Sequence, residues 1–171
     1  MSITAIGTFD AIVVGGGPAG ATAAHDLAKA GHSVLLLDRA GRIKPCGGAI
    51  PPRLIADFEI PLHMLVAQAT SARMVSPADK RVDIPIEGGF VGMVDREHFD
   101  EWLRERAAEA GVLRQTGRFE KIERDDDGTA VVHWHTEPDD KGDGKSVHSH
   151  ARARCIIGAD GAKSGVARAE I

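Results

Sequence analysis

Three glycines, Gly15, Gly17 and Gly20, fall at the spacing G-x-G-x-x-G inside the stretch FDAIVVGGGPAGATAAHDLAKAGHSVLLLD, Phe9 to Asp38. In that spacing the first glycine permits a tight turn. The second lets backbone approach a ligand closely, and the third lets the following helix lie against the preceding strand. Pro18 and Ala19 complete the turn, and a proline is well tolerated in the first helical turn, where no intrahelical bond uses its N–H. The free N–H groups and positive dipole end of such a helix attract a diphosphate. Asp38 follows 18 residues after Gly20, where a carboxylate accepts hydrogen bonds from a ribose. Together these residues predict dinucleotide binding. The negative charge of Asp38 repels a 2′-phosphate, which favours FAD or NAD over NADP.

The elements that must hold these residues follow from the flanking pattern. Asp10 to Val14 is a short β-branched run suited to a strand buried on both faces of a parallel sheet. Ala21, Ala24, Leu27 and Ala28 form the packing face of a helix that Gly31 ends, and Ser33 to Leu37 is the second strand. The order strand, glycine turn, helix, strand, acid makes the glycine spacing far more specific than it would be alone.

At 171 residues the chain has room for one ordinary domain, and a hydrophobic content of 43% is that of a folded protein. A net charge of −4 gives no sign of a nucleic-acid surface. No apolar run has the length of a membrane span, and Met1 to Thr8 lacks the features of a signal peptide. Cys46 and Cys155 are too few for a disulfide framework, so a reducing cytoplasm is the expected compartment.

Residues 1–8 are expected to be a loose leader and residues 9–171 an α/β domain. The segment RAGRIKPCGGAI, Arg39 to Ile50, reads as a long loop. Its cations Arg39, Arg42 and Lys44 suit a position beside a diphosphate. Cys46 is either an ordinary loop thiol or a neighbour of a planar ring. Arg53 to Phe58 predicts a short helix and Leu62 to Ala67 another turn or two. Ser71 to Val75, Arg81 to Ile86 and Gly89 to Val94 then predict an antiparallel meander inserted into the nucleotide-binding framework. Asp95 caps the next helix, which Gly111 ends, and Val112 to Gln115 returns to the parallel sheet. Strands over Arg118 to Glu123, Ala130 to Thr136 and Ala153 to Ile157 complete the pattern. His133-x-His135 and His148-x-His150 place two imidazole pairs on strand faces that a hairpin could join. Four imidazoles would suit zinc, but no supporting acid is evident in the sequence, so they read as sheet-edge histidines with no metal assigned. In Gly158-Ala159-Asp160-Gly161, followed by Ser164, Asp160 is a helix cap or a ligand contact.

These motifs together resemble the FAD-dependent reductases and hydroxylases of the p-hydroxybenzoate-hydroxylase fold. The likeness rests on Gly15-Gly17-Gly20, on Arg96 in VDREHFD, and on Gly158-Ala159-Asp160-Gly161 with Ser164. Within that group, RIKPCGGAIPPRLIADF and PIEGGFVGMVDREHFDEWLRERAAEAG are very similar to the geranylgeranyl reductase family, in particular its bacteriochlorophyll branch. The resemblance covers Phe9 to Ile171 and weakens around Glu137 to His150. It implies a Rossmann-like FAD-binding fold with an inserted antiparallel meander. The implied activity is NADPH-driven reduction of a geranylgeranyl side chain to phytyl in (bacterio)chlorophyll biosynthesis, on an isoprenoid-tailed pigment or geranylgeranyl diphosphate. The resemblance places Gly15, Gly17, Pro18, Ala19, Gly20, Asp38 and Arg39 at the ADP half of FAD, Arg96 on the cofactor, and Asp160-Gly161 by its ribityl-diphosphate. Cys46 is then expected beside the isoalloxazine ring. Membrane contact, for a chain without a span, would be peripheral.

Family members continue with a third flavin motif of the form G-D-A-A and a substrate domain. Neither is present in this sequence, which reads as the N-terminal FAD-binding part of such an enzyme, expected to bind FAD weakly and not to turn over by itself. Two alternatives share the motifs: a flavin-dependent monooxygenase of the same fold, and a non-catalytic nucleotide-binding domain.

Overall fold

A computed structural model describes residues 3–39, 46–87, 89–136 and 146–171. In chain order the strands and helices are β1 (Ile3–Val14), α1 (Pro18–Lys29), β2 (Val34–Asp38), β3 (Ala49–Ile50), α2 (Pro52–Asp57), β4 (Leu65–Ala69), β5 (Ser71–Val75), β6 (Arg81–Pro85) and β7 (Val91–Val94). After them come α3 (Arg96–Glu109), β8 (Leu113–Thr116), β9 (Arg118–Arg124), β10 (Ala130–Thr136), β11 (Val147–Gly158) and α4 (Gly165–Glu170). The chain divides into two units, Met1–Arg42 with Asp100–Ile171, and Ile43–Phe99. Among the described residues no helix is long and apolar enough to cross a membrane.

The first unit is built on a six-stranded sheet in the order β8-β2-β1-β11-β10-β9. Strands β8, β2, β1 and β11 run parallel, and β10 and β9 continue antiparallel. Burial explains the arrangement. Ile12, Val13, Leu35, Leu36 and Leu37 are at most 1% exposed, as continuous apolar runs must be when a strand is covered on both faces. Beyond β11 the ladder turns antiparallel around Trp134, which is fully buried and packs in one cluster with Ile12, Val14, Leu35, Leu37, Val132, Ala151, Ala153 and Val166. In α3, Phe99, Leu103 and Ala107 are buried at i, i+4 and i+8, and Asp95 accepts a hydrogen bond from the Glu97 N–H at 3.0 Å, as an N-terminal cap does.

Three expectations need correction. The stretch before Thr8 is not a loose leader from Ile3 onward: Ile3–Ala5 extend β1 and pair with His148–Ser149–His150. The register shifts between Ala5 and Thr8, where Gly7 takes φ +142°, so a bulge separates the two halves of the strand. Leu62 to Ala67 is not helical throughout; a short 3₁₀ turn at Leu62–Met64 passes into β4. Because β4 takes the place beside β7, the inserted strands form two sheets, β3-β7-β4 and β5-β6, and not one meander.

The β5-β6 hairpin exposes apolar side chains beside a charged pair. Arg73 and Asp83 pair across it at 2.7 and 2.9 Å, while Met74 and Val82 on the other face are each 61% exposed and Ile84 48%.

Candidate functional site

The glycine turn is closed by backbone. Gly15 takes φ +108°, and its N–H donates to the Leu37 carbonyl at 2.8 Å, while the Ala159 N–H donates to the Val14 carbonyl at 2.7 Å. A Cβ at Gly15 would lie 2.4 Å from the Ala159 carbonyl oxygen, and one at Gly20 would lie 1.8 Å from the Gly15 carbonyl oxygen. Helix α1 therefore rests directly on the turn, and the Gly158–Gly161 turn presses on it from the neighbouring strand. Gly17 differs from both. A Cβ there would meet no atom of the described residues within 4 Å, so among those residues the space above the start of α1 is open.

That open end is chemically unsatisfied. Gly17 is the N-cap without a side-chain hydrogen bond, Pro18 follows, and the first turn carries no acidic residue. Helix geometry leaves the N–H groups of Ala19 and Gly20 without intrahelical acceptors, pointing toward the open space. A diphosphate matches this cradle in charge and donor pattern.

Asp38 closes the turn from the tip of β2. Its Oδ1 accepts from the Gly16 N–H at 3.0 Å, and a Cβ at Gly16 would lie 2.7 Å from Asp38 Cβ. Arg104, from α3, donates through Nη1 to the Gly16 carbonyl at 3.1 Å and reaches Asp38 Oδ2 at 3.4 Å. Behind it, Arg104 Nε and Nη2 each lie 2.8 Å from Glu101 Oε2, and Arg114 Nη2 lies 2.8 Å from Glu101 Oε1. Partial burial opposes the Glu101 charge, but the bonds from Arg114 and Arg104 outweigh it and hold the carboxyl below its usual value.

Asp160 resolves into a cap. Its Oδ1 accepts from the Ser164 hydroxyl at 2.5 Å and its Oδ2 from the Gly165 N–H at 2.5 Å, while Ser164 Oγ accepts from the Ala167 N–H at 2.9 Å. The Asp160 side chain is thus spent on starting α4, and Gly161, at φ +91° with open space about it, leaves only main chain for a ligand. Burial works against ionisation of Asp160, yet the Ser164 hydroxyl and the N–H groups of Gly165 and Val166 pull its carboxyl below the ordinary value. This contribution to stability is complete above the unfolded carboxylate value of about 3.9 and disappears as pH falls through the lower folded value. Asp160→Ala is expected to cost about 1–2 kcal/mol at pH 7. Urea unfolding at pH 7 and pH 3 should show the gap narrowing in acid.

The structure brings Gly15, Gly17, Pro18, Ala19, Gly20, Asp38 and the Asp160-Gly161 turn together in the first unit. Arg39 is exposed just past β2. Cys46, an exposed thiol, and Arg96, the first residue of α3, belong to the second unit. Arg42 and Lys44 lie outside the described residues. Sequence reasoning missed Gly16, Arg104 and Glu101, and the contact of Ala159 with the glycine turn. The run Gly15-Gly16-Gly17 carried a signal for Gly16, but Arg104 in LRER looks like any charge on a solvated helix face.

The histidine pairs do meet. His133 opposes His150 and His135 opposes His148, with ring centroids 5.6 and 5.8 Å apart. The acids absent from the sequence reading are present: Glu120 lies 2.8 Å from His135 Nδ1 and 3.3 Å from His148 Nδ1, and Glu123 lies 2.9 Å from His133 Nε2. Among the described residues no group of three or more His, Cys, Asp and Glu is arranged to hold a metal ion.

Residues 13–66 match the family model of an NAD(P)-binding Rossmann-like domain. Geranylgeranyl diphosphate reductase of Rhodobacter capsulatus is 65% identical over 158 residues, which is 92% of this chain and 39% of that protein. The chain belongs to the geranylgeranyl reductase family. It spans about two fifths of the length of that relative. Among solved structures, a geranylgeranyl bacteriochlorophyll reductase-like protein from Thermoplasma acidophilum superimposes with a TM-score of 0.75 at 24% identity, over 94% of this chain and 40% of that one. A flavin-dependent brominase reaches the same TM-score at 20% identity, over 95% and 40%. The fold is thus the Rossmann-like α/β architecture of the p-hydroxybenzoate-hydroxylase type, shared by reductases, halogenases and monooxygenases. The monooxygenase alternative matches only at this level of fold.

Proposed function

We propose that this chain is the FAD-binding part of a reductase that saturates a geranylgeranyl chain to phytyl, on a (bacterio)chlorophyll-type pigment or on the free diphosphate, with NADPH as donor. The observation that carries the reading is the uncapped end of α1 open above Gly17, with the Asp38 carboxylate fixed beside it. In this reading the N–H groups of Ala19 and Gly20 bind the diphosphate, with Gly15, Gly17 and Pro18 shaping the turn. Asp38 Oδ2 accepts a ribose hydroxyl, Arg39 adds positive charge at the strand tip, and Asp160-Gly161 offers main chain to the ribityl-diphosphate. Arg96 and Cys46, in the second unit, are assigned to the cofactor by the family resemblance. FAD, when bound and reduced, supplies hydride for an alkene carbon that must receive a proton at its partner carbon. An isolated double bond is a poor hydride acceptor, so the protein must also exclude water and oxygen from the reacting centre. Contact with the pigment's membrane would be peripheral.

Titration of the chain with FAD, followed by flavin fluorescence quenching, tests the site. Gly17→Ala should weaken binding about tenfold or more while leaving the urea midpoint unchanged, because the added methyl fills ligand space and touches no atom of the described residues. Equal affinity in the variant would move the diphosphate elsewhere. For the reaction, the full-length enzyme with geranylgeranylated pigment and NADPH should give product heavier by pairs of hydrogen atoms. Added oxygen would identify the monooxygenase reading, and a full-length protein that takes up no flavin the non-catalytic one.

A further inference from the structure

Resting on that cofactor reading, we propose that Arg104 is a specificity-determining residue. It positions Asp38 for a ribose bearing a free 2′-hydroxyl and becomes a receptor for a 2′-phosphate once the Asp38 charge is removed. The two oxygens of Asp38 are unequally committed. Oδ1 is held by the Gly16 N–H at 3.0 Å, whereas among the described residues Oδ2 has only the 3.4 Å approach of Arg104 Nη1. Nη1 is engaged more closely by the Gly16 carbonyl, at 3.1 Å. Oδ2 is therefore the oxygen free to take a hydroxyl.

The guanidinium cannot drift away from this position. Its Nε–Nη2 edge is clamped by Glu101, which Arg114 holds from the far side, so Nη1 is the corner directed at the strand tip. Charge along the chain Arg114–Glu101–Arg104–Asp38 balances in alternating pairs. Removing the terminal carboxylate leaves one positive charge uncompensated where the ribose edge is read, on a side chain only 18% exposed and so weakly screened. A dianionic phosphate there gains charge-assisted hydrogen bonds, whereas the intact pair presents it with the Asp38 carboxylate.

The test is equilibrium binding of ADP-ribose and of its 2′-phosphorylated form to the chain, each by calorimetry. The unmodified chain should prefer ADP-ribose. Asp38→Asn, which retains an acceptor for the Gly16 N–H, should move the ratio of the two affinities about tenfold or more toward the 2′-phosphate, with that affinity falling steeply as salt rises. Adding Arg104→Gln to Asp38→Asn should erase the gained preference and its salt dependence, and Arg104→Lys should restore part of both. The preference ratio, unlike overall affinity, does not follow general destabilisation, and thermal melts identify any variant that fails to fold. A double variant that prefers the 2′-phosphate as strongly as Asp38→Asn would overturn the role of Arg104 and leave the cofactor reading standing. An unmodified, folded chain that binds neither ligand would overturn the cofactor reading itself.

Discussion

Gly20→Ala is expected to destabilise the chain by about 3 kcal/mol, at the upper end for adding one methyl group to a packed site. The new Cβ would lie 1.8 Å from the Gly15 carbonyl oxygen and 3.0 Å from Ala159 Cβ. The first of these is main chain, in a turn already at φ +108°. No rotamer change relieves such a contact, so α1 must lift from β1. The loss is a large fraction of the roughly 5–15 kcal/mol that a domain has to spare. Lifting α1 also carries the open N–H groups away from Asp38, so dinucleotide affinity falls together with stability. Urea unfolding and ligand titration on the same sample check both. The contrast with Gly17→Ala is the informative part, since the two changes are chemically identical and lie three positions apart. A Gly20 variant with an unchanged urea midpoint would mean that the helix does not rest on the turn as described.

Trp134→Ala is expected to cost about 3–5 kcal/mol, the range for deleting a buried large aromatic side chain. Trp134 is fully buried, and its Cδ1 lies where a Cβ on Gly117 would be only 2.3 Å away, so ring and backbone are closely fitted. The same cluster holds Val14 and Leu37, whose carbonyls anchor Ala159 and Gly15 at the glycine turn. The cavity is therefore expected to loosen the site as well as the antiparallel end of the sheet. Trp134→Phe keeps most of the volume and should recover about half of the loss. A cost below about 1 kcal/mol would show that neighbouring side chains collapse into the space and that this ring does not organise the core.

The residues that declare themselves in the sequence are those whose partners lie nearby in the chain. Gly15, Gly17, Gly20 and Asp38 belong to one strand-turn-helix-strand unit, so spacing alone places them. Asp95 and Gly111 were legible for the same reason, as punctuation at the ends of α3. What escaped depends on distant partners. Arg104 meets Asp38 across 66 positions and Ala159 meets the glycine turn across more than a hundred, and no periodicity marks such pairs. Ile3–Ala5 lack the length to announce a strand until β11 is beside them. Leu62 to Ala67 read as a helical turn or two because the segment follows Pro61 and because β7, the strand partner of β4, comes more than twenty residues later. Asp160 was legible as a position but not as a role, since a cap and a ligand contact call for the same residue type. Glu120 was hidden by a bulge: the register of β9 against β10 shifts between His133 and Trp134, so counting along the strand does not bring it to His135 and His148.

The pairing of β1 with β11 also bears on how the chain is made. A ribosome releases Ile12, Val13 and Val14 early, yet the strand that covers one whole edge of them is translated more than a hundred residues later. Until Val147–Gly158 emerges, that edge is an unpaired apolar template, and such edges invite association between nascent chains. Its long sequence separation also predicts slow closure of the central sheet. A holding chaperone present across this interval should therefore raise the yield of soluble protein, and slower translation through it should lower that yield.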